Sequence, residues 1–286
     1  HVRSRRQRQM CIRDRSDRTQ DIELRLLIEA IYLQYSYDFR DYSGSSLKRR
    51  IVHAMRQFGC ASISELQARI IHDSAAFMQL LQFLTIPVSE MFRDPSYFLA
   101  LRQEVVPFLR TYPSLKLWVA GCSTGEEVYS LAILLHEEGL LERSIIYATD
   151  INPHSLDKAK RGIFPIDNMR LYSENYQRSG GKGSLADYYT AAYDGALFER
   201  FLCANVTFAD HSLATDSVFS ETQFISCRNV LIYFNKTLQD RAFGLFHESL
   251  GHRGFLGLGS KESLDFSAYA GRFEAVNRQE RVFRKL

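Results

Sequence analysis

The densest run of chemistry-bearing residues is LKLWVAGCSTGEEVYS, residues 115–130. An apolar strand pattern feeds Gly121-Cys122-Ser123-Thr124-Gly125, and a helical pattern starts at Glu126. Glycines let a ligand approach the backbone, and a helix start offers free N–H groups. The next strand pattern, Ile145–Thr149, ends at Asp150. In a parallel sheet an acid at that place reaches ribose hydroxyls, because ligands bind beyond the carboxyl ends of the strands. Taken singly, the loop is a tight turn and Asp150 a surface acid. Together, Gly121, Gly125, Glu126 and Asp150 converge on one crevice.

The residues restrict what that crevice takes. The phosphate-loop pattern GxxxxGK[ST] is absent, and GxGxxG fails because only Gly121 and Gly125 occur. Glu126 and Glu127 would repel a pyrophosphate. A sulfonium nucleoside carries no phosphate, which favours S-adenosylmethionine over a nicotinamide dinucleotide. After the strand pattern Phe224–Cys227 the chain reads Asn229-Val230-Leu231-Ile232, without the prolines of the nitrogen-methylating motif [DN]PP[YF]. That argues against a nucleobase amine as acceptor.

The elements that position these residues fall into two textures. Residues 22–35 place Ile22, Leu26, Leu27, Ala30, Ile31 and Leu33 at helical spacing. A second helix over 46–58 has the stripe Leu47, Ile51, Met55 and Phe58, opposite Lys48, Arg49, Arg50, His53 and Arg56. Two more helices are predicted near 64–72 and 74–84. Pro87 and Pro95 mark a junction, since proline disfavours helix in the residue before it. The expected division is a tail over 1–18, a helical domain over 19–94 and a second domain over 95–286. From Leu115 strands and helices alternate, which predicts a mostly parallel sheet covered on both faces and closed by a terminal hairpin. Runs at 185–190 and 197–202 are read as a small antiparallel insertion within about 165–205, and 206–209 as a return to the main sheet.

Composition bounds the rest. The 286 residues carry +3, yet residues 1–18 hold seven Arg and two Asp, so the remainder carries −2. A nucleic-acid partner is not expected. The tail, HVRSRRQRQMCIRDRS, is read as non-native adapter read-through. Five widely spaced Cys without a CxxC pair give neither a disulfide framework nor metal-ligand spacing. No apolar run reaches the ~18 residues of a membrane span. A cytoplasmic monomer without membrane insertion is the simplest expectation.

These residues also carry a resemblance. The Arg-rich second helix, LTIPVSEMFRD, VAGCSTGEEVYS, ATDI, ISCRNVLIYF and the closing glycine strand with its hairpin resemble the CheR family of chemotaxis-receptor methyltransferases, over about residues 20–286. The resemblance implies an S-adenosylmethionine-dependent protein-glutamate O-methyltransferase that releases S-adenosylhomocysteine. It implies an α/β, Rossmann-like class I methyltransferase sheet with a small all-helical N-terminal domain and an inserted antiparallel β-subdomain. Carried over by position, Glu126 and Asp150 resemble the cofactor-contacting acids, Arg93 the arginine that reaches the active site, and Asn229 and Val230 the adenosine-side contacts. Where the family often has Asn and Thr, this chain has Pro87 and Ser89; Ser89 keeps a hydroxyl and Pro87 keeps no amide. Asp210 is a candidate acceptor for an adenine amine, and Tyr233 a candidate pocket wall.

A glutamate acceptor asks little of the catalyst, because a carboxylate with a reference pKa of ~4.3 is already ionised at neutral pH. Arg93 is the group expected to orient a carboxylate. Arg49, His53 and Arg56 share one helical face and are expected to dock the Glu-rich cytoplasmic helices of chemoreceptors. Some relatives bind a receptor's C-terminal pentapeptide on the β-subdomain. The stretch YYTAAYDGALFERF is short and altered at that turn, which predicts tether-independent action. Two alternatives are a non-catalytic cofactor-binding adaptor and a nicotinamide oxidoreductase.

Overall fold

The computed structural model describes residues 5–86 and 88–286, with side chains from Arg18 onward. Pro87 and residues 1–4 of the basic tail lie outside these described residues, and the rest of the tail is the start of the first helix. The chain forms two compact units, His1–Ile86 and Pro87–Leu286.

The first unit is helical: α1 (Arg5–Tyr35), α2 (Gly44–Gln57), α3 (Ile63–His72) and α4 (Ser74–Leu84). Local chemistry sets several helix starts. The Ser62 side chain accepts the Glu65 N–H ahead of α3, and Asp73 accepts the Ala75 and Ala76 N–H groups ahead of α4. Leu24, Leu27, Ile28 and Ile31 of α1 are buried, whereas Ile22, Leu26 and Leu33 are exposed. The core stripe is therefore rotated from the one expected, because 24, 27, 28 and 31 keep the i, i+3, i+4, i+7 spacing better. On α2, Leu47, Ile51 and Ala54 face inward, and so does Arg50.

The second unit holds α5 (Pro95–Ala100), a π turn (Leu101–Val105), α6 (Val106–Leu109), β1 (Leu115–Ala120), α7 (Glu126–Glu137) and β2 (Ser144–Asp150). Next come α8 (Pro153–Arg161), β3 (Ile163–Pro165), α9 (Met169–Arg178), β4 (Tyr189–Ala192), β5 (Gly195–Phe198) and β6 (Val206–Asp210). The chain closes with β7 (Thr222–Cys227), α10 (Lys236–Ser249), β8 (Leu250–Leu258), β9 (Phe273–Asn277) and β10 (Val282–Lys285). The main sheet runs β6-β2-β1-β7-β8-β10-β9, parallel except for β10, which pairs antiparallel with both neighbours. Strand order reverses between β1 and β7, and a crevice opens at the carboxyl ends of strands on either side of such a point.

The alternation, the terminal hairpin and the return of residues 206–210 to the main sheet match the expectations. The small second sheet, β3-β5-β4, is antiparallel. It differs in detail, since Leu185–Tyr188 is a 3-10 turn and β3 supplies a strand. Helix α9 has no counterpart in the elements that the sequence pattern predicts. Its buried Met169, Tyr172 and Tyr176 join the sheet's core, while the polar residues between them mask the stripe. Residues near 91–94 belong to this unit rather than to the helical one. Met91 and Phe92 are fully buried in its core.

Candidate functional site

The loop after β1 is pinned before any ligand is considered. The Gly121 and Cys122 N–H groups both donate to the Thr149 carbonyl at 2.8 Å. Gly121 has φ +73°. A Cβ there would lie 2.4 Å from Val230 Cγ2, so the loop after β1 touches the loop after β7. Gly125 has φ +97°, and a Cβ would meet Ala159 Cβ of α8 at 2.8 Å. Each glycine thus answers a close approach as well as a left-handed turn.

Asp150 ties two loops together. Its Oδ2 accepts the Ser123 N–H at 2.8 Å and its Oδ1 accepts the Asn152 N–H at 2.9 Å. Each oxygen keeps a lone pair for a further donor. Burial pushes its carboxyl above the usual range, although the backbone N–H groups pull it back. Glu126 opens α7 and is buried; Thr124 Oγ1 donates to its carboxylate at 2.7–2.9 Å. Burial pushes Glu126 upward as well. Asp210 lies in register with Asp150 on the adjacent parallel strand, exposed at the strand end. Ser123 Oγ is buried and lacks a hydrogen-bond partner among the described residues. An orphaned hydroxyl inside an acidic loop marks a place where a ligand group completes the bonding.

The loop after β7, which touches the one after β1, carries Asn229, at φ +61°, and Val230. A residue unforeseen from sequence holds them. Glu262, buried beyond β8, accepts the N–H groups of Asn229 (3.0 Å), Val230 (2.8 Å), Leu231 (2.7 Å) and Gly259 (2.7 Å). The same signal that picked out Asp150, an acid just past a strand's carboxyl end, was available at Glu262. Tyr233 sits half-buried on the turn Leu231–Tyr233, and its N–H donates to the Val230 carbonyl at 3.1 Å.

Arg93 stands on a tensioned segment. Phe92 and Asp94 on either side have φ +50° and +56°. Non-glycine residues in that region cost roughly 1–3 kcal/mol each and persist only where their surroundings hold them. The Phe92 N–H donates to Ser130 Oγ at 2.8 Å, and Ser130 Oγ donates to the Glu126 carbonyl at 2.7 Å, linking the segment to the first turns of α7. The Arg93 side chain is half-buried, and its guanidinium has no ion pair or hydrogen bond among the described residues. Ser89 is half-buried in the same segment, with no hydrogen bond to the crevice acids among the described residues.

The structure therefore brings Gly121, Glu126, Asp150, Asp210, Asn229 and Val230 to one sheet edge. A short chain of hydrogen bonds connects Arg93's segment to it. The donor set is acidic and rich in hydroxyls, and a phosphate would meet carboxylates there. It fits a cationic nucleoside such as S-adenosylmethionine.

Arg49, His53 and Arg56 belong to the helical unit. All three are exposed on one face of α2 and, with Phe83 and Ile86, line an open groove of about 800 Å³. Two residues expected on that face behave otherwise. Arg50 is buried and donates to the Leu84 carbonyl and, at 3.1 Å, to Ser46 Oγ. Lys48 pairs with Asp21 at 2.8 Å. Arg50 turns inward because it lies beside Ala54 at the margin of the buried stripe, where a long side chain reaches a free carbonyl at the end of α4.

Comparison with known proteins gives a consistent result. Residues 87–282 match the family model described as the CheR methyltransferase, SAM binding domain, and residues 22–85 the CheR methyltransferase, all-alpha domain. A Pseudomonas putida protein carrying the provisional name methyltransferase Cher3 is 72% identical over 270 residues, covering 94% of this chain and 99% of its own. The chemotaxis protein methyltransferase of Listeria monocytogenes is 30% identical over 79% of this chain and 84% of its own. That of Salmonella typhimurium is 29% identical over 85% and 84%.

Proposed function

The chain belongs to the CheR methyltransferase family, with S-adenosylmethionine as its cofactor, and from that premise we propose that it methylates glutamate side chains of chemoreceptor helices to give methyl esters. The observation that carries this reading is the half-buried, unpaired Arg93 guanidinium on a segment tied to the helix turn that bears Glu126. A cation in that setting is suited to orient a carboxylate acceptor.

The bound cofactor supplies an electrophilic methyl group on a sulfonium. Asp150 would hold the ribose hydroxyls with the lone pairs its backbone donors leave open. Gly121 and Val230, which touch each other, would offer one continuous surface to the nucleoside, and Glu126 would offer negative charge at the start of α7. Arg93 holds the acceptor carboxylate in line. No general base is required, since the acceptor is ionised. Positioning of this kind contributes up to roughly 7–11 kcal/mol, provided the pairing is not tighter in the ground state than in the transition state.

The exposed face of Arg49, His53 and Arg56 is the proposed dock for an acidic receptor helix. The insert's hairpin turns at Tyr193, whose φ is +51° and whose side chain is fully exposed. That two-residue turn is too short to frame a peptide, which supports tether-independent action. Calorimetry with a receptor's C-terminal pentapeptide checks it: tight binding overturns this part.

The decisive experiment for the reaction is transfer of labelled methyl to a soluble receptor fragment. Base-labile label on glutamate is the expected result. Binding of S-adenosylhomocysteine without transfer to receptor fragments assigns the chain to the adaptor reading instead.

A further inference from the structure

Arg228 follows β7 directly, and its side chain is 1% exposed. Its Nη1 donates to Glu127 Oε2 at 3.1 Å, and its Nη2 donates to Asp94 Oδ2 at 2.7 Å and to the Arg93 carbonyl at 2.8 Å. The guanidinium lies over the Tyr97 ring, 4.1 Å from its centroid. Glu127 in turn accepts from Ser226 Oγ at 2.6 Å, and Ser226 Oγ is 2.9 Å from the Tyr97 hydroxyl. One buried cation thus joins the end of β7, the first turn of α7 and the Arg93–Asp94 stretch of the chain.

As a stabilising device this is a poor choice, because desolvating a buried ion set consumes most of its Coulomb gain. Its geometry has a more specific result. Arg228 grips the backbone of Arg93 and the carboxylate of left-handed Asp94, while the Arg93 guanidinium stays unbonded. We propose that Arg228, acting through Asp94 and the Arg93 carbonyl, is the positioning residue that holds Arg93 in its working orientation. This rests on the reading of Arg93 as the carboxylate-orienting group.

Two variants test it by different routes. Arg228→Lys keeps the charge but replaces the fork with a single ammonium that cannot reach three oxygens on two segments. Asp94→Gly deletes the gripped carboxylate and suits a φ of +56°, so the fold tolerates it. Both are expected to lower kcat/KM for methyl transfer at least tenfold. Amide exchange over residues 92–97 is expected to quicken, with β1 and the body of α7 unchanged. The double variant Arg93→Ala/Asp94→Gly is expected within twofold of Arg93→Ala alone, because both changes act through one side chain. Losses that multiply, or Asp94→Gly and Arg228→Lys rates within twofold of the parent, overturn the proposal. If the parent protein transfers no methyl, or Arg93→Ala is as fast as the parent, the underlying reading fails instead. In that case the exchange measurement still decides: unchanged exchange at 92–97 in both variants shows that Arg228 does not hold the segment.

Discussion

Asp150 in the crevice and Arg49 on α2 are both charged residues picked out by spacing, but their surroundings differ. Asp150 is held by two backbone N–H groups and faces a second acid in register, so its position is over-determined. Arg49, with His53 and Arg56, is exposed on the surface of one helix and lines an open groove. Buried, bonded charge fixes the geometry of a small ligand at a cost in desolvation. Exposed charge steers a large partner and is screened by salt. The crevice acids are thus suited to placement, and the helical unit's basic face to the encounter proposed for it.

Four measurements break or sharpen that contrast. Asp150→Asn carries the largest expected effect, since an amide offers a donor where Ser123 or Asn152 already donates. S-adenosylhomocysteine binding should weaken on the order of 100-fold, about 2.7 kcal/mol by calorimetry. A Kd within threefold of the parent would falsify the role given to Asp150.

Adjacent residues on α2 come next. Arg50→Ala orphans the Leu84 carbonyl and should cost about 2 kcal/mol in denaturant unfolding, as charged hydrogen bonds do. Arg49→Ala should stay within about 0.5 kcal/mol, as exposed substitutions do. Equal losses would erase the distinction between inward and outward arginines on this helix.

Arg49→Glu with Arg56→Glu should slow methylation of a receptor fragment about tenfold at low salt, the lower end of electrostatic steering. Cofactor affinity should not change, and the parent's rate should fall as salt rises. An unchanged rate and salt dependence would end the docking role.

The smallest effect concerns Glu126. Burial raises its folded pKa above the unfolded value, so the folded state binds more protons and stability falls as pH rises through that window. Glu126→Gln should therefore stabilise the cofactor-free protein at pH 7 by about 1 kcal/mol while weakening cofactor binding. In the parent, binding should begin to fall on acidification at a higher pH than a surface carboxylate would give. Equal melting temperatures and a flat binding profile down to pH 5 would remove Glu126 from the site.

Legibility follows the range of each interaction. Gly121, Gly125 and Asp150 were readable because turn, close approach and strand end are local demands written into neighbouring residues. The burial of Arg50 was not, because its partner carbonyl at Leu84 lies 34 residues away. Helix α9 is not legible, since the polar residues among Met169, Tyr172 and Tyr176 blur its stripe. The prolines put the boundary at residues 94–95, whereas the packing of Met91 and Phe92 puts it earlier.

By itself the sequence determined the strand–helix alternation, the glycine loop, the acids at the strand ends and the family. Each depends on backbone conformation or periodicity, which short stretches of chain specify. Only the tertiary structure decided that Arg228 grips Asp94 across 134 residues, and that Glu262 gathers the N–H groups of Asn229, Val230 and Leu231 from about thirty residues away. Long-range pairs of this kind leave no period in the chain. A buried charge acquires its partner only when the sheet order brings distant strand ends together.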